Sequence, residues 1–235
     1  MTEPGPLLAR GRDCDVYALD DARVLRRYRG RAHAGAAMEA AIMEQARNNG
    51  YPVPRVFDVT DTEMVMDRVE GPTMVDVMAR RPWQIRKLAR TLASLHHQLH
   101  DIPAPDGARA PLGEGSVIIH LDLHPLNVIM SPDGPVVIDW TNAGRGEGNA
   151  DVALTWLLIM SGNPNEGAPG RSWSAFVNLM ARLGRSLFAR PFLAQFMRKD
   201  VMAHLDAVAA YKLVDQNMSE AEQRTIRRLA ATTPR

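Results

Sequence analysis

The segment His120-Leu-Asp122-Leu-His124-Pro-Leu-Asn127 is followed, after a short Pro/Gly turn, by the apolar run Val136-Val137-Ile138 and then Asp139-Trp140. No other feature of the chain constrains its fold so strongly. A turn with a strongly apolar run beyond it reads as a hairpin, and that hairpin holds three acidic or amide side chains in register. Asp122 and Asn127 are separated by four residues. A loop can therefore aim the carboxylate at an attacking hydroxyl and turn the amide oxygen toward a metal bound to phosphate. Asp139 supplies a second oxygen ligand. Mg²⁺ is a hard ion that takes one or two protein ligands beside phosphate oxygens, which this set offers. A lone Asp or Asn more often only caps a turn. Three placed together on one hairpin indicate a metal-nucleotide site.

The spacing H-x-D-x-x-x-x-N is that of protein kinase catalytic loops. Here no Arg precedes Asp122, and Ile-Asp-Trp stands where those enzymes have Asp-Phe-Gly. The variant H-x-D-x-H-P-x-N-V followed by V-I-D-W resembles the aminoglycoside phosphotransferase and choline kinase-like family, kinase-fold enzymes that phosphorylate small molecules. The resemblance covers about residues 7–160. It implies an α+β, bilobal, protein-kinase-like fold with a small N-terminal antiparallel sheet plus helix and a larger, mainly helical C-terminal lobe. Residues 1–69 would form the nucleotide-binding lobe. Residues 70–235 would form the helical lobe with the catalytic loop and substrate site.

Local patterning agrees. Leu7 to Gly11, Asp15 to Leu19 and Arg23 to Tyr28 are short segments divided by turn residues, which predicts an antiparallel meander. An alanine-rich helix is expected from Ala34 to Asn49, ending at Gly50. Arg55 to Val59 and Glu63 to Asp67 complete a five-stranded sheet. After the break at Glu70-Gly71-Pro72, helices are expected over Met74 to Arg80 and Pro82 to His100, the latter from leucines spaced three and four apart. Further helices are expected from Asp151 onward and near Ser172 to Phe188, Pro191 to Val214 and Ser219 to Ala230.

Composition excludes several classes. The 28 basic and 27 acidic residues leave a net charge of +1 with no polybasic run, so composition points to no nucleic-acid partner. The longest apolar stretch, Ala153 to Met160, is too short to span a bilayer, and the start Met1-Thr-Glu-Pro-Gly-Pro lacks a signal pattern. No membrane association and a cytoplasmic location are expected. Cys14 is the only cysteine, so an intrachain disulfide and a zinc cluster are excluded.

The resemblance also assigns site residues. Asp122 is the expected base, and Asn127 and Asp139 the expected metal ligands. The family places a lysine on the third strand, held by a helix glutamate, against the α- and β-phosphates. The only lysines are Lys87, Lys199 and Lys212, none in the first lobe. Val24-Leu25-Arg26 best matches the V-x-K pattern, so Arg26 takes that place, with Arg27 on the opposite strand face. Glu39, rather than Glu44, is the expected partner. Met66, Asp67, Arg68 and Val69 match the hinge whose main chain reads adenine. The turn Gly11-Arg-Asp-Cys14 lies where the phosphates would be covered. His120 is expected to brace the catalytic loop by a hydrogen bond near Asp139, and His124 to touch the γ-phosphate or order the loop. Asp151 is expected to cap a helix and hold the loop from behind.

These assignments imply an enzyme that transfers the γ-phosphate of ATP or GTP, with Mg²⁺, to a small-molecule hydroxyl. The missing lysine and reduced glycine loop keep open a nucleotide-binding regulatory pseudokinase. From Thr141 onward twelve Lys/Arg face eight Asp/Glu, an excess of four positive charges. That balance argues against a polycationic aminoglycoside as acceptor.

Overall fold

The turn residues Asp20-Asp21 close the hairpin between the second and third strands: Asp20 Oδ1 accepts from the main-chain N–H groups of Ala22 at 2.9 Å and Arg23 at 2.7 Å. The structure, a computed structural model, describes residues 4–11, 14–29, 35–161, 175–215 and 218–233. Strands β1 (Leu7–Arg10), β2 (Cys14–Ala18), β3 (Arg23–Tyr28), β4 (Val56–Val59) and β5 (Glu63–Asp67) form one antiparallel sheet in the order β1-β2-β3-β5-β4. Helix α1 (Ala36–Asn48) buries Ile42, Met43 and Ala46 and ends before Gly50, whose φ of +80° suits glycine. Together these elements make the N-terminal lobe of a kinase-like bilobal fold.

The C-terminal part is mainly helical. Helix α2 (Met74–Arg80) opens with a reciprocal cap between Thr73 and Asp76, and a 3₁₀ turn over Pro82–Gln84 leads into α3 (Ile85–His100). Burial of Leu88, Leu92, Leu95 and Leu99 on one face of α3 stabilises the lobe by about 1.5–3 kcal/mol each. Strand β6 (Val117–Ile119) precedes the loop that carries Asp122 and Asn127, β7 (Val128–Ser131) and β8 (Gly134–Val137) form the hairpin, and β9 (Gly144–Gly146) returns to pair with β6. Helix α4 (Gly148–Ser161) is mostly apolar and lies in the core, with Asp151 and Thr155 among its buried residues. Helices α5 (Ala175–Leu193), α6 (Arg198–Ala203), α7 (Leu205–Leu213) and α8 (Glu220–Thr232) follow.

Several expectations are corrected. Pro191 does not begin a helix but lies inside α5, in its last turn, where it has no N–H to donate to the carbonyl four residues back and the helix ends two residues later. The helix expected from Pro191 to Val214 is broken after Leu193, where Gln195 and Phe196 donate to the carbonyls three residues back, and again at His204. Helix α4 begins at Gly148, so Asp151 is its fourth residue and not its cap. The start of the helix expected at Ser172 lies outside the described residues. The β6–β9 pair, three residues on each side, is too short for any sequence period to reveal.

Candidate active site

Strand β3 carries Arg26 into the lobe interior, where its side chain is 5% exposed. Its Nε donates to Cys14 Sγ at 2.9 Å and its Nη1 to Glu39 Oε1 at 2.5 Å. Its Nη2 donates to Asp139 Oδ1 at 2.8 Å and Thr141 Oγ1 at 2.5 Å. Guanidinium has five N–H groups in a rigid fork, and these bonds commit four of them. Burial alone would lower the Arg26 pKa, but Glu39 and Asp139 outweigh it and raise it, so the group stays charged. Tyr28 adds a hydrogen bond to Glu39 Oε2 at 3.0 Å, satisfying the second carboxylate oxygen. Glu44 is exposed on the far side of α1. Arg27 points the other way along the strand and pairs with Glu63 at 2.7 Å.

The loop expected to be catalytic lies between β6 and β7. Asn127 Nδ2 donates to the main-chain oxygen of Asp122 at 2.9 Å and to Asp122 Oδ2 at 3.1 Å. The amide oxygen of Asn127 is thereby turned away from the carboxylate. Burial would raise the Asp122 pKa, but His124, 3.4 Å away, and the Lys212 ammonium of α7 outweigh it and hold it below the ordinary carboxylate value. Asp122 is therefore ionised at neutral pH. His124 Nδ1 also accepts from the Leu126 N–H at 3.3 Å, which orders the loop.

Asp139 follows the end of β8 and is joined to the loop by the bond from Ile138 N to Asn127 O, 3.0 Å. Its φ is +63°, and that of Leu121 is +62°. Such values strain residues with a Cβ and are held only where the surroundings over-determine them, here on both sides of one site. The Asp139 side chain is 48% exposed, unlike its partner Arg26. Asn127 and Asp139 offer two hard oxygen donors at the open end of the hairpin, which fits Mg²⁺ completed by phosphate oxygens and water. Among the described residues no group of three or more His, Cys, Asp or Glu side chains is placed to hold a metal by itself.

Behind the loop, buried Asp151 Oδ2 accepts from the His120 N–H at 3.0 Å and from His100 Nε2 at 3.1 Å, while Oδ1 accepts from the Leu121 N–H at 2.8 Å. These bonds hold its pKa well below the ordinary value despite burial. His100 needs Gly148, where a Cβ would lie 2.6 Å from its ring. A second anchor runs from His96 Nε2 to Thr155 Oγ1, 3.0 Å, and from Thr155 to the Leu123 carbonyl, 2.9 Å. The expected brace from His120 is corrected. Its two ring nitrogens have no hydrogen-bond partner among the described residues, and the ring packs on Trp140 at 4.8 Å between centroids. The shape of the imidazole, not a hydrogen bond from it, supports the loop.

At the hinge, the Asp67 N–H donates to Arg55 O and the Arg68 N–H to Ala22 O, 2.9 and 2.8 Å. The Val69 N–H has no partner among the described residues, while Met66 belongs to the β5 ladder. Gly71 lets the chain pass close to β7, since a Cβ there would lie 2.6 Å from Met130 O. Arg12 and Asp13 of the expected phosphate-covering turn lie outside the described residues. Sequence reasoning missed the contact of Cys14 with Arg26, and missed Thr141, His96, His100 and Thr155 as parts of the site. Only Thr141, two residues after Asp139, carried a local signal.

A model of the phosphotransferase enzyme family matches residues 6–115 and 104–196. The chain belongs to that family. It is 32% identical over 103 residues to a probable serine/threonine-protein kinase BUD32 homolog of Archaeoglobus fulgidus, a stretch covering 44% of this chain and 43% of that one. The match thus spans less than half of the curated relative. Among solved structures, it resembles a thermostable mutant of aminoglycoside phosphotransferase APH(4)-Ia in ternary complex with AMP-PNP and hygromycin B. The TM-score is 0.65 at 14% identity, over 96% of this chain and 92% of that one. It also resembles amicoumacin kinase hAmiN in complex with AMP-PNP, Ca²⁺ and Ami, with a TM-score of 0.53 at 12% identity over 97% and 88%. At these identities the structures show the shared fold alone. Among the described residues, no helix is long and apolar enough to cross a membrane.

Proposed function

We propose that this phosphotransferase moves the γ-phosphate of ATP or GTP to a hydroxyl of a small molecule. The observation that carries the reading is the meeting of Asp122, Asn127 and Asp139 at one hairpin that is fastened to the buried Arg26–Glu39 pair of the other lobe. Asp122, ionised and partly exposed, accepts the proton of the attacking hydroxyl. Asn127 and Asp139 hold Mg²⁺, which when bound neutralises phosphate charge. Arg26 and Glu39 set Asp139 in place, and the fifth guanidinium N–H remains for the nucleotide. The free Val69 N–H serves adenine at the hinge. Most of the rate enhancement is positioning and electrostatics.

For the acceptor, the excess of positive charge beyond Thr141 supports a neutral or anionic alcohol over a polycation, while Lys212 near Asp122 is itself paired with Asp215 at 2.9 Å. A second reading, a nucleotide-binding regulator with feeble transfer, is favoured by one observation: four of the five Arg26 N–H groups are already engaged within the protein. A screen of labelled γ-phosphate transfer to cationic, neutral and anionic alcohols separates them. The enzyme reading expects Mg²⁺-dependent transfer to at least one neutral or anionic acceptor. Tight nucleotide binding with no transfer to any acceptor would establish the regulator instead.

A further inference from the structure

Between Asp76 and Asp101 the chain has no carboxylate and five cations, Arg80, Arg81, Arg86, Lys87 and Arg90. They stand in sequence as the pairs Arg80-Arg81 and Arg86-Lys87 and the single Arg90, divided by Pro82 to Ile85 and by Leu88-Ala89. In the fold they fall on one exposed strip from the end of α2, through the 3₁₀ turn, along the outer face of α3. Trp83 stands in the middle of the strip and is 76% exposed. The side chains of Arg81, Arg86, Lys87 and Arg90 have no hydrogen-bond or ion-pair partner among the described residues, and that of Arg80 acts on Asp76, four residues before it. Five like charges and a bare indole on one face are unfavourable for the isolated chain. None of the groups contributes to the site described above.

Beside the strip lies a concavity of about 270 Å³ lined by Pro72, Val77, Arg80, Arg81, Gln84 and Met130. Half of its lining is apolar and half can donate hydrogen bonds. We propose that this face docks an acidic segment of a partner protein, with carboxylates on the five cations and an apolar side chain in the concavity beside Trp83. Tryptophan and arginine are the side chains that dominate protein interfaces, and arginine forks onto carboxylates. A bilayer is flat and leaves the concavity unfilled. A nucleic acid strand answers the charge but not the apolar half of the lining.

The test uses the full chain and fluorescence anisotropy with a short labelled peptide of Glu and Asp around a central Leu. Parallel arms use the same peptide with Ser in place of that Leu, a labelled oligouridine, and phosphatidylserine vesicles. Binding of the leucine peptide is expected to weaken roughly tenfold or more with the serine peptide, with Trp83→Ser, and with Arg81→Glu combined with Arg86→Glu. It is also expected to weaken with added salt. The substituted positions are exposed, and an unchanged circular dichroism spectrum identifies the loss as one of binding. No binding of the acidic peptide, equal binding by the charge-reversed protein, or tighter binding of oligouridine or vesicles overturns the proposal.

Discussion

Arg26 of β3 and Asp139 beyond β8 are 2.8 Å apart, Nη2 to Oδ1, although they lie 113 positions apart in sequence. The contact joins the lobes at the carboxylate assigned to the metal, and the same guanidinium holds Glu39 of α1. One side chain therefore bridges the two lobes and holds both Glu39 and the carboxylate proposed to bind the metal.

Replacing that side chain tests the arrangement. Arg26→Ala leaves Glu39 buried without its counter-ion, which costs about 3–5 kcal/mol of stability. Nucleotide affinity and transfer are both expected to fall. Arg27→Ala, on the opposite face beside Glu63, is expected to change neither. Arg26→Lys keeps the charge but offers no planar fork to Cys14, Glu39, Asp139 and Thr141 at once, so turnover is expected to drop. A gain in turnover with lysine would show that the native site is compromised and favour the regulatory reading.

Asp139→Ala removes the more exposed member of the pair and one of the two oxygen ligands proposed for Mg²⁺. Thermal shift with ATP is expected to lose its dependence on Mg²⁺. Equal magnesium-dependent stabilisation of variant and parent would contradict the ligand assignment.

Asp151→Asn acts from behind the loop. An amide cannot accept from the His120 and Leu121 N–H groups and from His100 as the carboxylate does. The melting temperature is expected to fall, with kcat reduced more than KM for ATP, because Asp122 loses its position while the hinge is untouched. A change in KM alone would place Asp151 outside the catalytic loop's support.

Buried His96 gives the protein an acid-sensitive anchor. Burial lowers its pKa from 6.5 to about 4 in the folded chain. The unfolded chain therefore binds the proton first, and stability is complete above pH 6.5 and declines as the pH falls toward 4. The full loss amounts to about 3 kcal/mol. Asp151, lowered from its ordinary 3.8, adds a further loss below that value. Melting curves against pH should show the first decline, and His96→Gln should flatten it. An unchanged slope would mean that His96 does not titrate on unfolding.

Much of this was legible in the sequence, and the reasons differ by element. The sheet could be read because Gly11, Asp20 and Asp21 divide its strands, and α3 because its leucines repeat at helical spacing. The Arg26–Glu39 pair was legible only through resemblance, since nothing local distinguishes Glu39 from Glu44. Cys14 and Thr141 meet Arg26 through tertiary packing, which leaves no periodic trace. His96 and His100, four residues apart on α3, look like polar positions of an amphipathic helix until α4 is packed against them. His120 was assigned a hydrogen bond by analogy. The tryptophan where kinases have phenylalanine gives its ring a packing surface instead.

The most direct test of the account is transfer of labelled γ-phosphate by Asp122→Asn, measured with the acceptor found for the parent and accompanied by nucleotide affinity. The carboxylate is replaced by an amide of the same shape that cannot take the hydroxyl proton. Transfer is expected to fall by roughly 10²-fold or more with nucleotide affinity unchanged. Equal turnover in variant and parent would contradict the assignment of Asp122 as the base and, with it, the catalytic reading of the hairpin.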